Sequence, residues 1–281
     1  MNSTKFGRVL LNTITVLLCL VYLFPIYLIL TNSFKSRAQM YENMISLPKS
    51  LSLQYYASAL EKMNFFTSVK NSLILTVVSI LVIVIFSSMT AWMFARSKNR
   101  LSTALFNLLV ATMLIPFQTI MMPLMQEMNW IGNTFGIKMT DSVPGLIFMY
   151  LGFGAGMGVF LYHGFVTGIP VSLEEAATID GCNTWKTFWS IVFPMLKPTT
   201  MTVIILDVIW IWNDYLLPSL TLKSTGNRTI PISTAKFFGQ YTISWNEAMA
   251  ALVVTIIPVV IFYLICQKYI VEGVAAGAVK G

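Results

Sequence analysis

The sequence has few charged residues, which make up 10% of its 281 residues, compared with about 25% in an ordinary soluble domain. Hydrophobic residues make up 56% of the chain. This balance argues against a soluble globular domain and is typical of a protein that lies in a lipid bilayer.

The residues from which metal and catalytic sites are built are also scarce. The chain has one histidine and three cysteines, Cys19, Cys182 and Cys266, which lack the spacing of metal ligands. No G-x-x-x-x-G-K-[ST] string occurs, so ATP binding by a phosphate loop is not expected. No combination of nucleophile, base and acid is evident either. We therefore expect a non-catalytic chain without metal or cofactor, whose energy comes from a partner.

The net charge of +7 would suggest nucleic acid as the partner of a soluble protein. Here the basic residues lie between long apolar segments, at the edges of the expected membrane. Lipid headgroups attract basic residues at that depth. We therefore expect membrane lipid around this chain and no nucleic acid.

Apolar residues are gathered into six long windows. Each is long enough to cross the hydrocarbon layer, which takes roughly 20 residues at about 1.5 Å per residue, and none alternates as barrel strands do. The first window is longer than the core of a signal peptide, so we expect it to be retained. The sequence predicts an all-α membrane protein, a single domain over residues 1–281 with six transmembrane helices. Their expected ranges are about 9–32, 71–95, 102–126, 143–168, 190–220 and 248–268.

The orientation of these helices is only weakly encoded by charge, because each set of loops carries nine lysines and arginines. The useful asymmetry is local. Arg96, Lys98 and Arg100 crowd one short turn, and Lys5 and Arg8 precede the first helix. Since short loops carry most of the orientation signal, we expect both termini in the cytoplasm.

A short helix outside the membrane is predicted over residues 172–181, between the fourth and fifth spans. Ser172 and Glu175 have the spacing of a capping box at its start, and Gly181 suits the left-handed conformation of a helix end. On this helix Leu173, Ala176, Ala177 and Asp180 would share one face with small residues at its middle. Such a face suits docking of another protein, although a polar loop that only caps two membrane helices is an equal alternative.

The residues of this segment resemble the EAA loop of ATP-binding-cassette import permeases. The family pattern is EAA, three residues, glycine, nine residues and then I-x-L-P. It corresponds here to Glu175-Ala176-Ala177, Gly181, Ile191 and Pro194, with Phe193 in place of the usual leucine. In that family the helix is a coupling helix, which inserts into a cleft of the ATPase subunit on the cytoplasmic side. The resemblance implies an ATPase-docking role for Leu173, Glu174, Glu175, Ala176, Ala177, Asp180 and Gly181.

Four further strings, in this order along the chain, are similar to the maltose-type carbohydrate permeases. They are Pro48–Tyr56, Asn71-Ser72, Trp212–Tyr215 and the tail Gly273–Gly281. This resemblance implies a permease subunit for a sugar or oligosaccharide in a bacterial or archaeal cell (inner) membrane. It also implies a second permease subunit in a heterodimer, two ATPase subunits and an extracellular solute-binding protein. The competing hypothesis is a stand-alone secondary transporter or channel for a polar solute.

The fifth window contains two acidic residues, Asp207 and Asp214, which lie within about 20° of each other on a helix. An ionised carboxylate in lipid costs at least about 2.5–3.5 kcal/mol, so both should face a cavity or another helix. Trp210 offers an aromatic surface on which a sugar ring can stack. We consider Asp207, Trp210, Asn213 and Asp214 as translocation-path residues, and the alternative is hydrogen bonding of Asn213 and Asp214 to loops or neighbouring helices.

Glycines and prolines within the windows predict packing and bends. Gly152, Gly154, Gly156 and Gly158 favour close approach of helices rather than a phosphate loop, because no strand precedes them. Pro116 and Pro123 should bend the third helix or mark its outer end. His163 is expected to pack rather than to carry protons.

Overall fold

The computed structural model describes residues 5–97, 99–239 and 244–278, and no β-strand forms among them. Lys98 and residues 279–281, which the sequence argument used, lie outside this part. The α-helices are α1 (Lys5–Asn32), α2 (Arg37–Glu42), α3 (Gln54–Lys62), α4 (Phe65–Arg96), α5 (Arg100–Ala111), α6 (Phe117–Phe135), α7 (Val143–Val166), α8 (Ser172–Ile179), α9 (Thr184–Thr187), α10 (Phe193–Met195), α11 (Lys197–Asn213), α12 (Leu216–Thr221), α13 (Ile230–Ala235) and α14 (Trp245–Ala278). Short 3-10 turns form at Thr112–Leu114 and Thr225–Asn227, and a π-helical turn forms at Phe188–Val192.

Four of the described helices are unbroken and long and apolar enough to cross a membrane, namely α1, α4, α7 and the first part of α14. Two further spans arise only if bent pairs are counted as one crossing each. The pair Arg100–Leu114 and Phe117–Phe135 bends by 110°, and the pair Thr184–Met195 and Lys197–Asn213 bends by 75°. The all-α membrane fold with four to six crossings agrees with the sequence prediction.

The third and fifth windows are not straight crossings, and the bend of the third at Pro116 agrees with the prediction made from its prolines. In the third window, Ile115 is extended before Pro116. Proline lacks an amide hydrogen and disfavours a helical conformation in the residue before it, so the helix stops there. In the fifth window the break falls at Leu196, between Pro194 and Pro198.

Among the described residues, one compact unit contains residues 5–66, 233–239 and 244–263. In this unit Glu247 at the start of α14 accepts hydrogen bonds from the Lys62 ammonium at 2.6 Å and from the Ser58 hydroxyl at 2.7 Å. These bonds hold α3 against α14. None of the apolar window of α1 is buried within this chain, so lipid or another subunit must cover it.

The second compact unit contains the described residues 67–97, 99–232 and 264–278. Its core brings α4, α7 and α11 together. A Cβ atom added to Gly158 of α7 would lie 2.6 Å from the Ser87 Oγ of α4, and one added to Gly154 would lie 2.6 Å from the Ile83 side chain. Gly156 is also closely packed, since a Cβ atom added there would lie 2.9 Å from the Met113 side chain. The predicted close packing therefore occurs at Gly154, Gly156 and Gly158, whereas Gly152 has open space beside it.

Aromatic and hydroxyl contacts complete the packing of α7 in this unit. The Tyr162 hydroxyl donates to the Thr200 Oγ1 of α11 at 3.0 Å. His163 stacks on Phe106 of α5 with ring centroids 4.1 Å apart. The histidine is packed against an aromatic ring, as the sequence predicted.

Candidate functional site

The helix α8 begins differently from the prediction. Its N-cap is Val171, which has a helical backbone conformation, and no side chain caps this end. The Glu175 amide donates to the Val171 carbonyl at 3.0 Å. The predicted Ser172–Glu175 capping box is therefore wrong, because Ser172 already lies in the first turn and not in the extended position that a capping serine requires.

The end of α8 is the glycine-dependent turn that the sequence predicted. Gly181 has a φ of +80°. The Gly181 amide donates to the Thr178 carbonyl at 3.0 Å, and the Cys182 amide donates to the Ala177 carbonyl at 2.9 Å. This pair of bonds is a Schellman motif, which satisfies the last carbonyls of a helix. It fixes the direction in which the chain leaves α8.

The inner side of α8 is held by the C-terminal end of α4. Arg96 donates to the Glu174 Oε1 from Nε at 2.9 Å and from Nη2 at 2.7 Å. The Trp92 indole donates to the Glu174 Oε2 at 3.0 Å. Both oxygens of this carboxylate are thus engaged within the chain. Glu174 was predicted to be a docking residue, but its carboxylate is turned towards α4.

The surface that α8 leaves open is rotated from the predicted face. Ala177 is only 3% exposed, so it packs within this chain and is not available to a partner. The predicted residues that do remain exposed are Leu173, Glu175, Ala176, Asp180 and Gly181.

Ile179, which the sequence argument did not select, is 87% exposed. Since Glu174 and Ala177 mark the buried side, the open face is centred near Ile179, roughly 100° from the predicted centre. An isolated isoleucine in a polar helix was the signal that could have identified it.

A cluster of aromatic rings lies beneath α8. The helix packs against α9 and the π-helical turn, and Phe188 of that turn contacts Trp92 with ring centroids 5.3 Å apart. Trp185 of α9 stays 61% exposed beside α8 and contacts Trp189 at a centroid distance of 5.8 Å. The exposed apolar surface of this region therefore includes Ile179 and Trp185.

The four candidate path residues of the fifth window separate into two pairs. Asp207 is 6% exposed, and the Asp214 carboxylate accepts a hydrogen bond from the Tyr150 hydroxyl of α7 at 2.8 Å and another from the Leu216 amide at 2.9 Å. Trp210 and Asn213 are exposed. Asp214 thus makes the hydrogen bonds to neighbouring segments that the alternative hypothesis expected of it.

A polar clamp that the sequence analysis missed joins the loop after α6 to the loop after α12. The Asp141 Oδ1 accepts hydrogen bonds from the Lys223 amide at 3.0 Å and the Ser224 amide at 2.9 Å, and its Oδ2 accepts one from the Ser224 hydroxyl. These bonds from Ser224, with further ones from Lys138 and Lys223, lower the pKa of Asp141 well below its usual range. The carboxylate therefore stays ionised at every pH at which the protein would work.

The fold and the site together define a class of protein, a multi-span membrane protein with a short helix between two of its spans. A family model described as "Binding-protein-dependent transport system inner membrane component" matches residues 83–275. The chain belongs to this family and is a permease subunit of an ATP-binding-cassette importer. Membership implies an inner-membrane location, with an ATPase and a solute-binding protein as partners.

Individual relatives are similar over their whole length. A probable starch degradation products transport system permease protein of Thermoanaerobacterium thermosulfurigenes is 47% identical over 280 residues, which is 100% of both chains. A melibiose/raffinose/stachyose import permease protein of Bacillus subtilis is 34% identical and covers 99% of this chain and 98% of its own. A solved structure of a bacterial ABC transporter involved in the import of the acidic polysaccharide alginate contains a chain of similar fold. The TM-score is 0.80 at 24% identity, and the match covers 96% of this chain and 99% of that chain, which supports the fold.

Proposed function

We propose that this chain forms half of the translocation pathway for a sugar or oligosaccharide. Relatives named for starch degradation products and for melibiose, raffinose and stachyose are 47% and 34% identical over essentially the full chain. Membership of the importer permease family argues against a stand-alone secondary transporter or channel. The chain itself carries out no catalysis, and ATP hydrolysis belongs to its partners.

The assembly that we propose contains a second permease subunit in a heterodimer, two ATPase subunits and an extracellular solute-binding protein. The N-terminal helix α1 exposes its whole apolar window, which leaves ample surface for contact with lipid and a second permease. Both termini lie in the cytoplasm in this arrangement. The C-terminal end of α6 and the N-terminal end of α7 then lie outside, on the side of the solute-binding protein.

The ATPase docks on the open face of α8. The observation that carries this proposal is that α8 turns Glu174 and Ala177 inward while Ile179 is 87% exposed. Leu173 of the same helix and Trp185 of the neighbouring α9 are also exposed, and exposed apolar surface that is grouped in this way marks a protein interaction site, which a single exposed side chain would not. Leu173, Glu175, Ala176, Asp180 and Gly181 surround Ile179.

The translocation path follows the exposed side of α11. Trp210 is 38% exposed, which leaves an aromatic surface for a sugar ring, and Asn213 is exposed one turn further along. Asp207 and Asp214 support this face from behind, because both are turned into the chain.

The test is affinity purification of the complete complex in detergent with Ile179→Glu. We expect the amount of ATPase retained to fall at least about tenfold, which corresponds to about 1.4 kcal/mol, because a charge replaces the apolar contact. Ile137→Glu is the matched control, since Ile137 is 51% exposed outside α8, and it should retain the ATPase.

Unchanged ATPase recovery with Ile179→Glu would contradict the docking surface. Recovery of the wild-type chain without ATPase, together with uptake that follows an ion gradient and ignores ATP depletion, would contradict the importer itself. For the solute, uptake of labelled oligosaccharides by proteoliposomes with the whole complex is expected, and uptake of only a non-carbohydrate solute would overturn that part of the proposal.

A further inference from the structure

The contact between α4 and α8 is a partly buried, fully engaged ion pair. The side chains of Arg96 and Glu174 are only 20% and 12% exposed. Besides its two bonds to Glu174, the Arg96 Nη2 donates to the Ile169 carbonyl at 3.0 Å, just ahead of α8. Arginine is always charged and its planar fork holds one geometry. This contact therefore fixes the position of α8 relative to the end of α4.

A second set of contacts, made by aromatic rings, joins α8 to the same end of α4. Helix α8 packs on α9 and the π-helical turn, and Phe188 of that turn contacts the ring of Trp92. Trp92 also donates to Glu174. Side-chain bonds and aromatic packing thus converge on one turn of α4, which contains Trp92 and Arg96.

Helix α4 is suited to carry a displacement across the membrane. It runs without a break through 32 residues, or roughly 48 Å at about 1.5 Å per residue. By contrast, the pairs of helices that begin at Arg100 and Thr184 bend by 110° and 75°. An unbroken helix keeps its backbone hydrogen bonds from one end to the other, whereas a bent pair interrupts them at its break.

The other end of α4 is bonded to a loop on the opposite side of the membrane. The Asn71 side chain donates to the Gly226 carbonyl at 2.7 Å and to the Arg228 carbonyl at 3.1 Å. The Ser72 hydroxyl accepts a hydrogen bond from the Ile230 amide at 2.9 Å. Each end of α4 therefore has its own polar attachment.

We propose that Trp92 and Arg96 are positioning residues that transfer the movement of α8 to α4 and, through α4, to the loop at residues 226–230. The proposal rests on the proposed function of α8 as the ATPase-docking helix. It assigns Glu174 to coupling within the chain, while the open face around Ile179 holds the ATPase. Loss of the ion pair should therefore leave the ATPase bound but disconnect it from transport.

The test compares Arg96→Ala, Glu174→Gln and the exchanged pair Arg96→Glu with Glu174→Arg in the complete complex in proteoliposomes. We expect each single variant to retain ATPase co-purification and ATP hydrolysis within about twofold, while solute uptake per ATP falls at least about tenfold. The exchanged pair should recover a substantial part of the uptake. Arg100→Ala is the matched control, because Arg100 is exposed near the same end of α4, and it should behave as wild type.

Three outcomes would overturn the proposal: normal uptake per ATP in both single variants, parallel loss of ATPase binding and uptake, or no recovery in the exchanged pair. Trp92→Phe keeps the aromatic ring and removes only the indole donor, so it provides a folded variant, with a smaller loss of uptake per ATP, if Arg96→Ala does not insert. Failure of the wild-type chain to bind the ATPase would instead contradict the proposed function.

Discussion

The turn at Gly181 offers the most direct test of how α8 is shaped. Its φ of +80° is a conformation that other residues rarely adopt, and a Cβ atom added there would meet nothing within 4 Å. A substitution therefore introduces backbone strain without a clash. We examine Gly181→Val, in which the branched side chain makes that strain largest.

The expected magnitude follows from this conformation. A non-glycine residue in the left-handed region costs roughly 1–2 kcal/mol, which changes the population of a two-state end turn by about five- to thirtyfold. The bonds from Gly181 to Thr178 and from Cys182 to Ala177 are lost when the turn changes. The chain would then leave α8 in another direction, which would disturb the ATPase contact that we propose at Ile179.

The assay is solute uptake and ATP hydrolysis by the reconstituted complex, with the amount of inserted chain measured in parallel. We expect Gly181→Val to lower uptake by at least about fivefold at normal insertion, and Gly181→Asn to lower it less, because asparagine tolerates this conformation. Gly164→Val is the control, since Gly164 also has open space beside it but no positive φ. Wild-type uptake in Gly181→Val, or equal loss with asparagine and valine, would refute the reasoning.

Two further predictions concern other contacts of the second unit. Hydrogen bonds from Ser224 lower the pKa of Asp141 in the folded chain. The ionised carboxylate therefore contributes to stability above the unfolded-state pKa of about 3.9, and this contribution is lost as the pH falls towards the lower folded-state pKa. The melting-temperature difference between wild type and Asp141→Asn should thus be constant from about pH 5 to 8 and shrink below about pH 4; a difference that grows on acidification would contradict this. Gly158→Ala should destabilise the chain in detergent by about 1–3 kcal/mol, because its Cβ would lie 2.6 Å from the Ser87 Oγ, whereas Gly152→Ala should melt like wild type; equal melting of both variants would exclude the close contact.

Helix α8 shows how far local sequence rules reach. Gly181 was predicted to end α8 in a left-handed turn, and this is confirmed by its φ of +80°, because that preference depends only on the missing Cβ atom. The prediction of a capping box at Ser172 was wrong, although Ser172 and Glu175 have the three-residue spacing that a capping box needs. Whether a serine caps a helix depends on the conformation of Val171 and Pro170, which the path of the chain out of α7 decides.

The direction in which α8 faces depended on residues far away in the sequence. Helical periodicity grouped Leu173, Ala176, Ala177 and Asp180 without indicating which side is buried. Arg96, which lies 78 residues before Glu174, decides this by engaging the carboxylate. Periodicity within eight residues contains no information about such a partner.

The sequence by itself determined that this is an all-α membrane protein with apolar segments in known places, because crossing lipid demands long runs of apolar residues that satisfy their own backbone hydrogen bonds. The spacing of Glu175, Ala176, Ala177 and Gly181 also located the short helix α8. Only the tertiary structure decided which groups these side chains bind and how the third window bends. Glu174 pairs with Arg96 of α4, Asp214 accepts a hydrogen bond from Tyr150, and the helices on either side of Pro116 meet at 110°. These features arise from contacts between distant segments, and each segment can satisfy its local preferences in more than one arrangement.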